Sequence, residues 1–168
     1  MTQTRDLLAR VAEKDDTAFA QLYDAFADRV FRYVLTLLHD RHLAEEVAQE
    51  TMIAVWNGAH RFAGRSKAST WIFGIARNQA FTLMRREMKA EKMPRPELVE
   101  PDPSHSILRQ EKVREALGDL STEHREVVYL TFYEGLSYGE ISGLLGVPEG
   151  TVKSRMFHAK RRLAEVLA

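Results

Sequence analysis

The chain of 168 residues contains no cysteine. That excludes disulfides, thiolate nucleophiles and cysteine-based zinc sites. It has no run of eighteen apolar residues and no signal-peptide pattern, so it reads as a soluble, cytoplasmic protein without membrane insertion. Proline is scarce and unevenly placed: four of the five, Pro94, Pro96, Pro101 and Pro103, fall in Met93–His105. This polar stretch has no apolar period and reads as an extended linker between two domains. No phosphate-cradling glycine loop, nucleophile–base pair or paired-carboxylate site is present, and neither catalysis, a cofactor nor a metal is expected.

Charge of either sign is not in excess, since 24 Lys+Arg balance 24 Asp+Glu. Its distribution is uneven. Met1–Gly58 holds six basic residues against ten acidic, and Ala59–Met88 holds six against one. Leu108–Gly150 holds four against eight, and Thr151–Ala168 holds five against one. An acidic-then-basic order thus occurs twice. A local basic stripe meets phosphates while an acidic face meets a different partner.

The most informative run is Leu136–Leu163, LSYGEISGLLGVPEGTVKSRMFHAKRRL. Ser137 with Glu140 three positions later is a capping-box pattern that starts a helix near Tyr138. Ile141, Leu144 and Leu145 keep helical spacing, and Gly146 supplies the left-handed residue that ends the helix. Val147 anchors the turn and Pro148 suits the first turn of a second helix. That helix is expected to bury Val152, Met156, Ala159, Leu163 and Val166. Lys153, Ser154, Arg155, His158, Lys160, Arg161 and Arg162 lie on its other face. Two helices joined by a three- to four-residue turn form a helix-turn-helix, whose second helix enters the major groove by its N-terminal part. Lys153, Ser154 and Arg155 then lie nearest the bases, and Lys160–Arg162 nearer the phosphates.

Upstream, the pattern is helical throughout. Phe19, Leu22, Tyr23, Phe26, Val30, Tyr33, Val34 and Leu37 keep helical spacing, with Asp15 or Asp16 as cap. A second helix opens near Asp40 and lines Leu43, Val47, Ala48, Thr51 and Val55 on one face, with Glu45, Glu46, Gln49 and Glu50 on the polar side. After a loop centred on Gly64, a third runs from about Thr70 to Arg86 and buries Ile72, Ile75, Ala76, Ala80 and Leu83. In the loop, Arg61, Arg65 and Lys67 interleave with Phe62, Ser66 and Trp71. That mixture suits unpaired DNA, because aromatics stack on bases while cations follow the backbone; alternatively Phe62 and Trp71 staple the loop to the core. Asn78 is placed to bond a base edge.

Three segments then carry a resemblance: DRHLAEEVAQETMIAVW (Asp40–Trp56), TWIFGIARN (Thr70–Asn78) and LSYGEISGLLGVPEGTVKSR (Leu136–Arg155). They are similar to the region 2 and region 4 signatures of bacterial RNA polymerase sigma factors of the extracytoplasmic function (ECF) type. The resemblance implies an all-α chain of two small helical domains: a region 2-like bundle (1–92), a linker (93–107) and a region 4-like helix-turn-helix domain (108–168). It implies that Asp40, Glu45, Glu46, Gln49, Glu50 and Trp56 bind core RNA polymerase at the β′ clamp, with the second domain on the β flap. Arg61, Phe62, Arg65, Ser66, Lys67, Trp71 and Asn78 would open the −10 element. Thr151, Lys153, Ser154, Arg155, Phe157, His158, Lys160 and Arg161 would read the −35 element of promoter DNA. It also implies control by an anti-sigma factor. His158 stands where the family often has Arg.

Two other classes share part of this pattern. A stand-alone DNA-binding regulator shares the helix-turn-helix but gives no reason for the acidic helix or the basic–aromatic loop. A helical metalloenzyme would use His39, His42, Glu45, Glu46 and Glu50, yet no second helix offers a matching Glu-x-x-His pair.

Overall fold

A computed structural model describes residues 2–89 and 115–167 of the chain. Every regular element among the described residues is helical. The chain divides into two compact units, Met1–Pro96 and Glu97–Ala168. The expected linker 93–107 lies outside the described residues.

The first unit is built from α1 (Thr2–Ala12), α2 (Asp16–Leu38), α3 (Arg41–Gly58), a 3-10 turn (Ala59–Arg61) and α4 (Ala68–Lys89). α2 starts where the sequence places its cap: the Asp15 carboxylate accepts from the Thr17 and Ala18 N–H groups, satisfying orphan donors of the first turn. It ends at His39, in the left-handed region at φ 54°. Asp40 then caps α3 through the Leu43 N–H at 3.0 Å. The core gathers Leu22, Phe26, Val30, Tyr33 and Val34 of α2, Val47, Met52 and Val55 of α3, and Ile72, Phe73 and Ala76 of α4. Phe73 sets its ring against Tyr33 at 5.6 Å and Phe26 at 6.3 Å, the edge-on geometry that aromatic quadrupoles favour.

Differences from the sequence expectation are local. α1 had no separate signal, yet it buries Leu7, Leu8 and Val11. Tyr23 sits on the rim of the apolar stripe and remains 43% exposed, and Phe19 and Ile75 are half-buried.

The second unit consists of α5 (described over 115–118), α6 (Thr122–Phe132), α7 (Tyr138–Leu145) and α8 (Glu149–Leu167). Leu120, Val128, Met156 and Ala159 form its core, with Leu117, Tyr138 and Leu163 packed on the margin. Val166 is exposed rather than buried, because the last turn of α8 runs past the helices that cover it. Arg125 of α6 collects three carbonyls at the end of α5: Leu117 at 2.9 Å, Leu120 at 2.8 Å and Gly118 at 3.4 Å. A cation here satisfies orphan C=O groups and complements the helix dipole. Its burial pushes the guanidinium pKa down from the usual arginine value.

Candidate nucleic-acid interface and polymerase-facing helix

The helix-turn-helix forms as its residues dictate. The Ser137 hydroxyl accepts the Glu140 N–H at 3.1 Å. Gly146, at φ 69°, ends α7 with its N–H on the Ser142 carbonyl. The turn is fastened from inside, where the Ser142 hydroxyl donates to the Val147 carbonyl at 2.6 Å. Pro148 lies one residue before α8, and its carbonyl accepts from Thr151 and Val152; it serves as the cap position rather than the first turn. Val152, Met156 and Ala159 are buried, which leaves Lys153, Ser154, Phe157, His158, Lys160 and Arg161 exposed along α8.

That exposed face is not uniform. Lys153 and Arg161 each have a glutamate one turn away, Glu149 at 4.0 Å and Glu165 at 3.9 Å, solvated pairs that a phosphate readily displaces. Arg155 differs. Its side chain is only 20% exposed and its guanidinium reaches Glu123 at the start of α6, 3.8 Å away. His158 stacks on His124 at 6.0 Å and meets the edge of Phe157 at 5.5 Å. Phe157, 62% exposed, is a large apolar group on a polar surface.

In the first unit, the loop between the 3-10 turn and α4 carries Arg61, Arg65, Ser66 and Lys67 in exposed positions. Phe62 and Trp71 pack on each other at 5.5 Å and are both half-buried. The pair therefore staples the loop and still shows an edge to solvent. Asn78 is exposed two turns further along α4. Six of the seven loop and α4 residues in the sequence-read set lie between Arg61 and Trp71, and Asn78 extends it along the helix.

On α3, Glu45, Glu46, Gln49 and Glu50 share an exposed side as read from the periodicity. The sequence reading missed Ile53, which is 52% exposed and lies four residues after Gln49, on the same face. Its signal was a lone apolar residue on the polar side of the helix. Asp40 and Trp56, at the two ends, have structural duties. Asp40 caps the helix. Trp56 meets Phe19 edge-on at 5.2 Å, with the Lys14 ammonium 4.6 Å over its ring and bonded to its carbonyl at 2.8 Å. Among the described residues no three His, Asp or Glu side chains form a metal-holding group, and no helix is long and apolar enough to cross a membrane.

Two helical units, one carrying a basic–aromatic loop and the other a helix-turn-helix, define an all-α chain of modular build. The family model described as Sigma-70 region 2 matches residues 22–90, and that described as Sigma-70, region 4 matches residues 110–163. The ECF RNA polymerase sigma factor SigL of Mycobacterium tuberculosis is 35% identical over 149 residues, covering 84% of this chain and 84% of SigL. The chain belongs to the ECF RNA polymerase sigma factors. Such proteins are transcription initiation factors and not enzymes in themselves. Among solved structures, the sigma factor RpoE in complex with the anti-sigma factor NepR from Bartonella quintana matches with a TM-score of 0.76 at 27% identity. It covers 89% of this chain and 96% of RpoE. CnrH in complex with the cytosolic domain of CnrY matches at 0.73 with 25% identity, covering 98% of this chain and 97% of CnrH.

Proposed function

We propose that this sigma factor directs core RNA polymerase in the cytoplasm to promoters that carry a −10 and a −35 element, using the two units for different tasks. Residues 1–92 bind polymerase and the −10 strand, 93–107 link, and 108–168 read the −35 duplex. Thr151, Lys153, Ser154, Arg155, Phe157, His158, Lys160 and Arg161 face the −35 major groove. Arg61, Phe62, Arg65, Ser66, Lys67, Trp71 and Asn78 engage the opened −10 strand. Glu45, Glu46, Gln49 and Glu50, flanked by Asp40 and Trp56, dock on the β′ clamp, and the second unit meets the β flap. The observation that carries this reading is the clean segregation of charge: an exposed carboxylate face on α3 and exposed cations on the loop and on α8. RpoE is solved in complex with the anti-sigma factor NepR and CnrH in complex with the cytosolic domain of CnrY, which supports control of this chain by an anti-sigma factor.

Run-off transcription with core bacterial RNA polymerase on a pooled promoter library tests the proposal. New start sites that appear only with this protein and share two short upstream elements are the expected result. No new starts, together with failure to co-purify with core, would replace it with a stand-alone DNA-binding regulator.

A further inference from the structure

The exposed arginines of the first unit fall into two groups. Arg10 pairs with Asp15 at 2.9 Å, Arg32 with Asp28 at 3.1 Å and Arg41 with Glu45 at 3.9 Å. Arg5, exposed on α1, has neither an ion pair nor a hydrogen bond among the described residues. Its guanidinium lies against the loop instead: a Cβ added to Gly64 would stand 3.2 Å from its Nη2. Gly64 is in the left-handed region at φ +75°, a conformation that favours glycine. Arg5 also lines an open cavity of about 380 Å³ between α1 and the loop, together with Leu8, His60, Phe62 and Ala63.

Arg61 and Arg65 lie within three residues of Gly64 and likewise have no partner among the described residues. The loop thus carries two exposed arginines of its own and has a third, Arg5, set against its backbone from a separate helix. Glu13 lines the same cavity, but none of the three arginines has an ion pair with it or with any other carboxylate among the described residues, and a phosphate backbone would supply the missing counter-charge. α1 precedes residue 22, where the region 2 match begins, so neither the family model nor the sequence pattern draws attention to it.

We infer that Arg5 contacts a backbone phosphate of the single DNA strand held along residues 62–67, making α1 part of the strand-capture surface. The inference rests on the reading of that loop as the −10 face. It assigns Arg5 a positioning role without base selectivity, since phosphate contacts fix register and carry no sequence information.

The test uses the full chain bound to core polymerase and two fluorescent single-stranded oligonucleotides, one with the −10 sequence and one scrambled, across a salt series. Arg5→Ala should weaken binding several-fold on both and lower the log–log salt slope by about 0.7, the share of one single-strand phosphate. Arg5→Lys should restore the slope, which separates the charge from any defect in folding. Arg65→Ala is the loop control. If Arg65→Ala lowers the slope and Arg5→Ala does not, the Arg5 proposal fails and the loop reading stands. If neither variant changes binding, both fall. A loss confined to the −10 sequence with an unchanged slope overturns the phosphate role in favour of loop support.

Discussion

Arg155 in the recognition helix and Glu123 in the first turn of α6 face each other at 3.8 Å, with the arginine largely covered and the glutamate in solvent. The residue best suited by type to grip a guanine edge is therefore held by a carboxylate in the free protein. Under the proposed −35 assignment, DNA would compete with Glu123 for it.

Glu123→Gln should accordingly tighten −35 duplex binding, with the larger gain on the preferred sequence, as Arg155 is released to the base edge. Arg155→Ala should cost roughly 1–3 kcal/mol on the preferred sequence and relax discrimination there. Fluorescence anisotropy with matched and mismatched duplexes checks both. Weaker binding by Glu123→Gln would mean that the pair positions Arg155 instead of restraining it.

Asn78→Ala should leave duplex −35 binding unchanged and slow open-complex formation, because Asn78 is exposed on the other unit beside the basic loop. Permanganate footprinting of unpaired thymines follows the opening step directly. Wild-type opening by the variant would remove Asn78 from the −10 face.

Gly146→Ala isolates a backbone effect. A Cβ at this position meets nothing within 4 Å, so the cost is that of holding an L-residue in the left-handed region, about 1–2 kcal/mol. Urea unfolding of the full chain, followed by a probe in the second unit, should show that loss with no change in m-value. A neutral result would indicate that the turn relaxes to another conformation.

Asp15 supplies a pH prediction. The Ala18 backbone hydrogen bond, followed by the bond to Arg10, holds its carboxyl below the usual aspartate range. A carboxylate depressed in the folded state stabilises above its unfolded pKa and loses that contribution as pH falls through the folded one. Wild type should lose stability below about pH 4 more steeply than Asp15→Asn, which keeps a capping oxygen but cannot titrate. Thermal melts across that range decide it, and parallel curves would exclude Asp15 as a contributor.

Much of this architecture was readable before any coordinates because its determinants are local. Asp15, Asp40, Ser137 and Gly146 act within four residues of themselves, and each stands where its side chain or φ requires. What escaped depends on contacts between distant parts of the chain. α1 is only 11 residues long; its apolar face is Leu7, Leu8 and Val11, and its docking on α2 fixes it in place. Phe73 is buried beside Ile72 because α4 packs against both α2 and α3, which a single-face pattern does not express. Arg155 was placed by its helical angle alone, and no rule of spacing links it to Glu123, thirty-two residues earlier. Trp56 closes the Asp40–Trp56 segment that carries the family resemblance, but its partnership with Lys14 and Phe19 arises from tertiary closure.

The three carbonyls gathered by Arg125 set a boundary for exchanging parts between related factors. Each unit carries its own core, so a graft joining the first unit to another promoter reader is sound in principle. A junction placed after Leu120, however, would separate Arg125 from the carbonyl oxygens of Leu117, Gly118 and Leu120. It would leave a half-buried cation without its acceptors. The transferable cassette therefore begins upstream of α5, and its indispensable seam is the side chain that ties α6 to the end of α5.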